Sequence, residues 1–167
     1  MMRSLLQLSN NNMEKTVVLI KPDGLQRGLV GEIMHRFERK GLKLVGVKMI
    51  RLTDSILENW YFHHKDKAFF KDLKDFMEWT PVVAMVWQGL DAIAAVRKVV
   101  GITKSREAEA GSIRGDFGMS GSQNIIHASD SVEASEKELG LIFNGDEIFD
   151  YDSAMDLLVY SKEEVSK

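Results

Sequence analysis

The spacing of apolar positions changes several times along the chain, and each change marks an element. Thr16 to Lys21 reads Thr-Val-Val-Leu-Ile-Lys, a continuous run rich in β-branched residues and closed by Pro22-Asp23-Gly24. That pattern predicts a strand buried on both faces. From Val30 to Gly41 the apolar residues Val30, Ile33, Met34 and Phe37 recur at i, i+3, i+4 and i+7 with charges opposite, which predicts an amphipathic helix ended by Gly41. Alternation over Leu42 to Arg51 predicts a second strand, although its faces are not cleanly polar and apolar. Asp54 is placed to cap a short helix through Tyr61, and a further helix covers Phe69 to Trp79 before Pro81, so the two form a helical insertion. Pro81 to Trp87 is again an apolar strand, and Asp91 opens a helix through Val100 that Gly101 ends. Thr103 to Gln123 is polar and then glycine-rich, which predicts one long loop with some local helix. Asn124 to Ala128 resumes as a short strand, and Ser131 to Leu141 as a helix with Ser129 or Asp130 at its cap.

This order predicts an α/β (α+β) fold in which helices cover a mainly antiparallel sheet, with a split β-α-β arrangement. Its 167 residues, 44% hydrophobic and 28% charged, suit one domain, expected over residues 13–167. The first 12 residues, with Leu5, Leu6 and Leu8 followed by Ser9-Asn10-Asn11-Asn12, are expected to be a disordered leader or to precede an effective start at Met13. The absence of cysteine removes thiolate catalysis, iron–sulfur ligation and cysteine zinc sites, and fits a cytoplasmic location. A net charge of -3 argues against a general nucleic-acid binder, and the basic run Arg36 to Lys43 reads as the solvated face of a helix. No apolar stretch approaches the roughly 18 residues of a membrane span.

Against this acidic background four positions look wrong for purely structural roles. Arg97 falls on the apolar stripe Ile93, Val96, Arg97, Val100, where a guanidinium needs an anion, or else reaches water over its own stem. Lys21 emerges at the carboxyl end of a strand, although most such lysines are merely solvated. Arg114 lies in Gly111-Ser112-Ile113-Arg114-Gly115, where glycines let backbone amides approach a phosphate; the plain alternative is a flexible loop with a surface arginine. His127 sits at a strand-to-helix junction, a position for a nucleophile that Glu138, seven residues past Ser131, could orient. A lone histidine among apolar neighbours is more often a core residue. The adjacent His63 and His64, with His35 far upstream, lack the spacing that puts two metal ligands on one helix face. Neither the Gly-x-x-x-x-Gly-Lys-Ser/Thr loop nor the dinucleotide fingerprint is present.

Taken in order, the motifs Ile20-Lys21-Pro22-Asp23-Gly24, Gln26 to Ile33, Pro81 to Met85, Ile113-Arg114-Gly115-Asp116-Phe117 and Asn124-Ile125-Ile126-His127-Ala128-Ser129-Asp130-Ser131 resemble those of the nucleoside diphosphate kinases, and the likeness runs from Glu14 to Tyr160. The resemblance implies a ferredoxin-like βαββαβ sandwich and a ping-pong transfer of the γ-phosphate of a nucleoside triphosphate, mainly ATP, to a nucleoside diphosphate through a phosphohistidine at His127. It implies phosphate contacts from Arg97, Arg114 and Thr103, with Lys21 and Asn124 near the sugar hydroxyl and phosphates. By the same likeness Tyr61 is a site tyrosine, Phe69 the aromatic on which the base stacks, and Ser129 and Glu138 the support of the histidine. Mg2+ is expected on the nucleotide phosphates rather than in a protein cage. The segment Asp150 to Tyr160 matches that of hexameric members, so a homo-hexamer is expected ahead of a tetramer. A catalytically silent, nucleotide-binding regulator on the same scaffold is the alternative. Two departures stand out: Thr103 to Gly111 lacks prolines that many members carry, and Gly121 replaces a common apolar residue opposite the base.

Overall fold

A four-stranded antiparallel sheet organises the protein, in a computed structural model that describes residues 13–62 and 65–165. The leader and the His63-His64 pair lie outside the described residues. The strands are β1 (Met13–Ile20), β2 (Lys43–Ile50), β3 (Val82–Leu90) and β4 (Ile126–Ala128), in the order β2-β3-β1-β4. Two helices, α1 (Pro22–Gln26) and α2 (Val30–Arg39), join β1 to β2. The insertion α3 (Asp54–Trp60) and α4 (Phe70–Glu78) joins β2 to β3, α5 (Ala92–Val100) and α6 (Ile113–Phe117) lead to β4, and α7 (Val132–Ile142) follows it. Two short helices, α8 (Asp156–Val159) and α9 (Lys162–Val165), end the described chain. This is the split β-α-β sandwich that the periodicity predicts.

The centre of the sheet explains why β1 reads as unbroken hydrophobics. Val18 and Ile20 join Ile33, Phe37, Met85, Trp87 and Val96 in one core, whereas Val17 and Leu19 join Leu57, Trp60, Met77 and Val86 in a second core on the opposite face. Both faces of the strand are covered, so neither tolerates polar residues. Antiparallel pairing of β1 with β4 sets Leu19 opposite His127, which places the histidine beside the carboxyl end of the central strand.

The boundaries differ from the sequence pattern where partners decide them. β3 runs on to Leu90 because Gln88, Gly89 and Leu90 pair with Lys15, Glu14 and Met13. β4 begins only at Ile126, because Ile125 has a left-handed backbone (φ 72) that cannot continue a strand. Pro22 does more than stop β1: it is the first residue of α1, where its missing N–H has no intrahelical acceptor to lose. The caps also move. Thr53, not Asp54, accepts the Ile56 N–H, and Ser131, rather than Ser129 or Asp130, accepts the Ala134 N–H at 3.0 Å.

The segment 103–123 is a loop built around one 3₁₀ turn, Ser105–Glu107, and around α6. One residue of the basic run on α2 pins it. Arg36 reaches Asp116 Oδ2 at 2.6 Å and the Gly111 carbonyl at 3.2 Å, and its guanidinium lies 4.6 Å from the centroid of the Phe117 ring. A surface ion pair alone contributes little, but a forked contact with a carbonyl and a ring face adds to it. Arg36→Ala is therefore expected to lower stability by about 1 kcal/mol and Tm by roughly 3 °C. An unchanged melting curve would mean that the loop is held by other contacts.

After α7 the chain turns along β2. The Phe149 N–H donates to the Val45 carbonyl at 2.8 Å, and the Tyr151 hydroxyl to the Leu44 carbonyl at 2.8 Å. Further on, the Tyr160 hydroxyl accepts the Leu90 N–H at 3.2 Å. Among the described residues no helix is long and apolar enough to cross a membrane.

Candidate functional site

At the carboxyl end of β1 a cleft of about 660 Å³ opens between α4, α5 and the 103–123 loop, with His127 in its wall. The imidazole is largely covered, with 20% of the side chain exposed, and its Nε2 lies 2.9 Å from Glu138 Oε1. Glu138 projects from α7 and is itself buried. Burial opposes its ionisation, but hydrogen bonds from His127, Ser129 and Trp60 outweigh that and hold its carboxyl below the usual range. Ser129 donates to Oε2 at 2.7 Å, and the Trp60 indole N–H donates to Oε1 at 2.9 Å. An ionised carboxylate only accepts, so the bond to it requires hydrogen on Nε2, and the neutral imidazole keeps a lone pair on Nδ1.

Three cations share the cleft with this nitrogen. Lys21, only 7% exposed at the end of β1, donates to Asn124 Oδ1 at 2.7 Å and to the Ser122 carbonyl at 3.3 Å. Burial, with a contribution from Arg114, depresses its pKa from 10.5 to about 8. Arg114, 4% exposed on α6, donates to the carbonyls of Gly101 at 2.8 Å, Ile126 at 2.7 Å and Asn124 at 3.4 Å. Burial and then Arg97 push its pKa down to about 10. Arg97 comes from α5, with Nη1 3.4 Å from the Ala128 carbonyl. Burial and mutual repulsion lower the basicity of Lys21 and Arg114, with Asp23 offsetting part of it at Lys21, and partly desolvated cations of this kind are the electrostatic mark of an anion site.

The backbone beneath these groups is strained and tightly held. Ile125, a β-branched residue at positive φ, costs about 1–3 kcal/mol in conformation. Its N–H donates to Asp23 Oδ2 at 2.9 Å, and its carbonyl accepts the Lys21 N–H at 2.9 Å. The carbonyls on either side of it, of Asn124 and Ile126, accept from Arg114. Asn124 also ties down the loop, its Nδ2 donating to the carbonyls of Thr103 at 3.0 Å and Gly121 at 2.9 Å. Gly24 permits the close approach of α1, since a Cβ there would lie 2.9 Å from the Ile125 oxygen.

Phe69 stands half-exposed in the cleft wall, whereas its neighbour Phe70 is buried. Tyr61 also lines the cleft, and burial, then the charge of Glu138, drives its hydroxyl pKa well above the usual range. Thr103 and Gly121 complete the loop side, and a Cβ added at Gly121 would meet nothing within 4 Å. Of the residues singled out in the sequence, Lys21, Tyr61, Phe69, Arg97, Thr103, Arg114, Asn124 and His127 line one cleft, while Ser129 and Glu138 stand behind His127. Asp72, Leu73 and Phe76 of α4, together with Ser122, Gln123 and Asp130, also line it and were missed. The α4 trio was legible in part as the shared face of a helix. Trp60, 78 positions before its partner Glu138, gave no local signal.

Such an arrangement can seat a polyanion beside an unprotonated ring nitrogen, with an aromatic plate to one side. A family model described as nucleoside diphosphate kinase matches residues 14–148. A nucleoside diphosphate kinase of Parabacteroides distasonis is 52% identical over 152 residues, covering 91% of this chain and 99% of its own length. That of Archaeoglobus fulgidus is 48% identical, covering 90% and 99%. Among solved structures, a halophilic nucleoside diphosphate kinase from Halobacterium salinarum in complex with CDP aligns with a TM-score of 0.86 at 45% identity, covering 89% of this chain and 99% of that one.

Proposed function

The chain belongs to the nucleoside diphosphate kinase family, a class of phosphotransferases, and we propose that its His127 Nδ1 is the atom that carries the phosphoryl group between nucleotides. In the first half-reaction Nδ1 attacks the γ-phosphorus of a nucleoside triphosphate, mainly ATP. The P–N bond forms as the bond to the β-phosphate oxygen breaks, and the diphosphate leaves. In the second, the terminal oxygen of another nucleoside diphosphate attacks that phosphorus and the P–N bond breaks. The observation that carries this reading is the hydrogen bond of Nε2 to Glu138, which leaves Nδ1 as the nucleophilic nitrogen in a wall shared with three cations.

Phosphoryl transfer has a loose transition state, so alignment and charge neutralisation supply most of the catalysis. Arg97, Arg114 and Thr103 hold the phosphates, and Lys21 and Asn124 the region of the sugar hydroxyl and phosphates, with Tyr61 beside the reacting centre. Ser129 and Glu138 keep the imidazole oriented. Phe69 stacks on the base without reading its hydrogen-bonding edge, which gives broad base specificity; the CDP bound by the halophilic relative is in keeping with this. The open space beside Gly121 leaves that grip one-sided. A magnesium ion riding on the phosphates would neutralise their charge, and the cleft's lining carboxylates among the described residues, Asp72 and Asp130, suit that role better than a protein cage.

The enzyme works as one domain over residues 13–167 in the cytoplasm, and as a homo-oligomer, a hexamer ahead of a tetramer. The edge position of β2, with Val47 and Met49 exposed, supports association. The deciding experiment is incubation with γ-radiolabelled ATP. Acid-labile, alkali-stable phosphate should appear on the protein and be discharged by any nucleoside diphosphate. Nucleotide binding without label or turnover would point to the silent regulator instead.

A pH dependence follows from Lys21. Its folded pKa of about 8 lies below the ordinary 10.5, so the buried charge weakens the fold below pH 8, and this cost is relieved as pH rises from about 8 to 10.5. Phosphate binding needs the charged form. Therefore kcat/KM for ATP should decline above pH 8 as unliganded enzyme loses that proton, and Lys21→Arg should flatten the decline. A profile that stays level to pH 10 in the wild-type enzyme would contradict this.

A further inference from the structure

The oxygen of Glu138 that holds the histidine has a second donor. Trp60, the last residue of α3 and 6% exposed, donates its indole N–H to Glu138 Oε1 at 2.9 Å, and the same oxygen lies 2.9 Å from His127 Nε2. Its ring meets the imidazole edge-on, with centroids 5.1 Å apart and planes at 88°. It also stacks with Tyr61, with centroids 6.1 Å apart and planes at 16°.

We propose that Trp60 is a positioning residue for phosphoryl transfer, acting through Glu138 to keep the His127 imidazole neutral and fixed in orientation. This rests on His127 being the phosphoryl carrier. A buried carboxylate whose main partner is an imidazole draws a second proton onto that ring, because the imidazolium is the better donor. Each neutral donor to the carboxylate drains charge from it and weakens that pull. Ser129 does so at Oε2 and Trp60 at Oε1, the oxygen the histidine uses. The edge-on ring contact also opposes rotation of the imidazole, so that Nδ1 stays turned to the substrate. An indole buried only for packing could donate to any carbonyl within reach.

Other titratable side chains face the same couple. Tyr61 caps the carboxyl end of α3, Lys21 follows β1, Arg97 lies on α5 and Arg114 on α6; Asp130, Glu133 and Lys137 lie before and along α7.

The test measures kcat/KM for ATP against pH, which reports the unphosphorylated enzyme. The proteins are wild type, Trp60→Phe, and a protein carrying at position 60 the benzothienyl isostere of tryptophan, which keeps the ring and lacks the N–H. Loss of one neutral hydrogen bond should move the acid limb toward neutrality by about half a pH unit in both variants. That makes them roughly 3-fold slower on the acid side, with a smaller change on the plateau and the KM for ADP unaltered. Acid limbs that stay at the wild-type pH overturn the proposal. So does a shift in Trp60→Phe that the isostere does not reproduce, since that is a packing effect. Absence of phosphohistidine on the wild type would defeat the functional reading itself, whereas labelled wild type with unshifted variants defeats only the role of Trp60.

Discussion

His127→Ala is expected to abolish acid-labile labelling by ATP and to reduce nucleotide-to-nucleotide transfer by about 10⁴-fold or more, while leaving nucleotide binding within a few-fold of wild type. The reason is the division of labour in the cleft. On the proposed reading the cations and Phe69 of the cleft wall grip the substrate through groups that the substitution does not touch, whereas the imidazole is the nucleophile among them. The fold should survive, because Glu138 keeps the donors Ser129 and Trp60. It should nonetheless lose some stability at neutral pH and become less dependent on acid pH. A carboxyl held below its unfolded pKa contributes stability that is present above that pKa and lost as pH falls through the folded value. Without its histidine partner the folded pKa of Glu138 moves back toward the unfolded value, so that contribution is smaller and less of it is left to lose on acidification. Quantitative labelling, titration with a fluorescent nucleotide and melting at pH 7 and pH 5 separate the three effects. A variant that still labels like the wild type would refute the phosphohistidine.

Arg114→Ala is expected to damage both stability and activity. The guanidinium satisfies the carbonyls of Gly101, Asn124 and Ile126 and so joins α5, α6 and the strained turn before β4. Leaving buried carbonyls without donors costs about 1–3 kcal/mol for each group, and relief of repulsion with Lys21 and Arg97 offsets part of it. A net loss of roughly 2–4 kcal/mol is the expectation. Removing a cation from the transferring phosphate should lower kcat/KM by about 10²–10³-fold. Arg114→Lys should recover little, because an ammonium cannot hold the forked set of carbonyls. A further sign is specific to this site. Arg114 helps to depress the Lys21 pKa, so its loss should move the alkaline limb upward from pH 8. Arg114→Ala with wild-type Tm and activity would show that neither its carbonyl contacts nor its charge matters.

Much of this was legible because it is local. The unbroken apolar run of β1 could only be a strand covered on both faces, and the 3.6-residue period of α2 could only be a helix with one face inward. The odd placement of Lys21, Arg97, Arg114 and His127 marked chemistry because each residue type conflicts with its own surroundings in the sequence. The strong likeness of the motif order then joined them into one site. Less legible were features owned by two segments at once. The ends of β3 follow its pairing with β1, and the start of β4 follows a left-handed Ile125 that Asp23 and Lys21 at the start of α1 and Arg114 of α6 hold in place.

The amino-acid order by itself determined which stretches are helix or strand, which faces turn inward and which side chains could hold a phosphate, because periodicity and residue chemistry act over a few positions. Tertiary structure alone decided that Glu138 receives three donors, that Lys21 and Arg114 are desolvated enough to lose basicity, and that Trp60 shares a Glu138 oxygen with His127. Those properties come from distances of about 3 Å and from exclusion of water, and packing sets both between residues up to about a hundred positions apart.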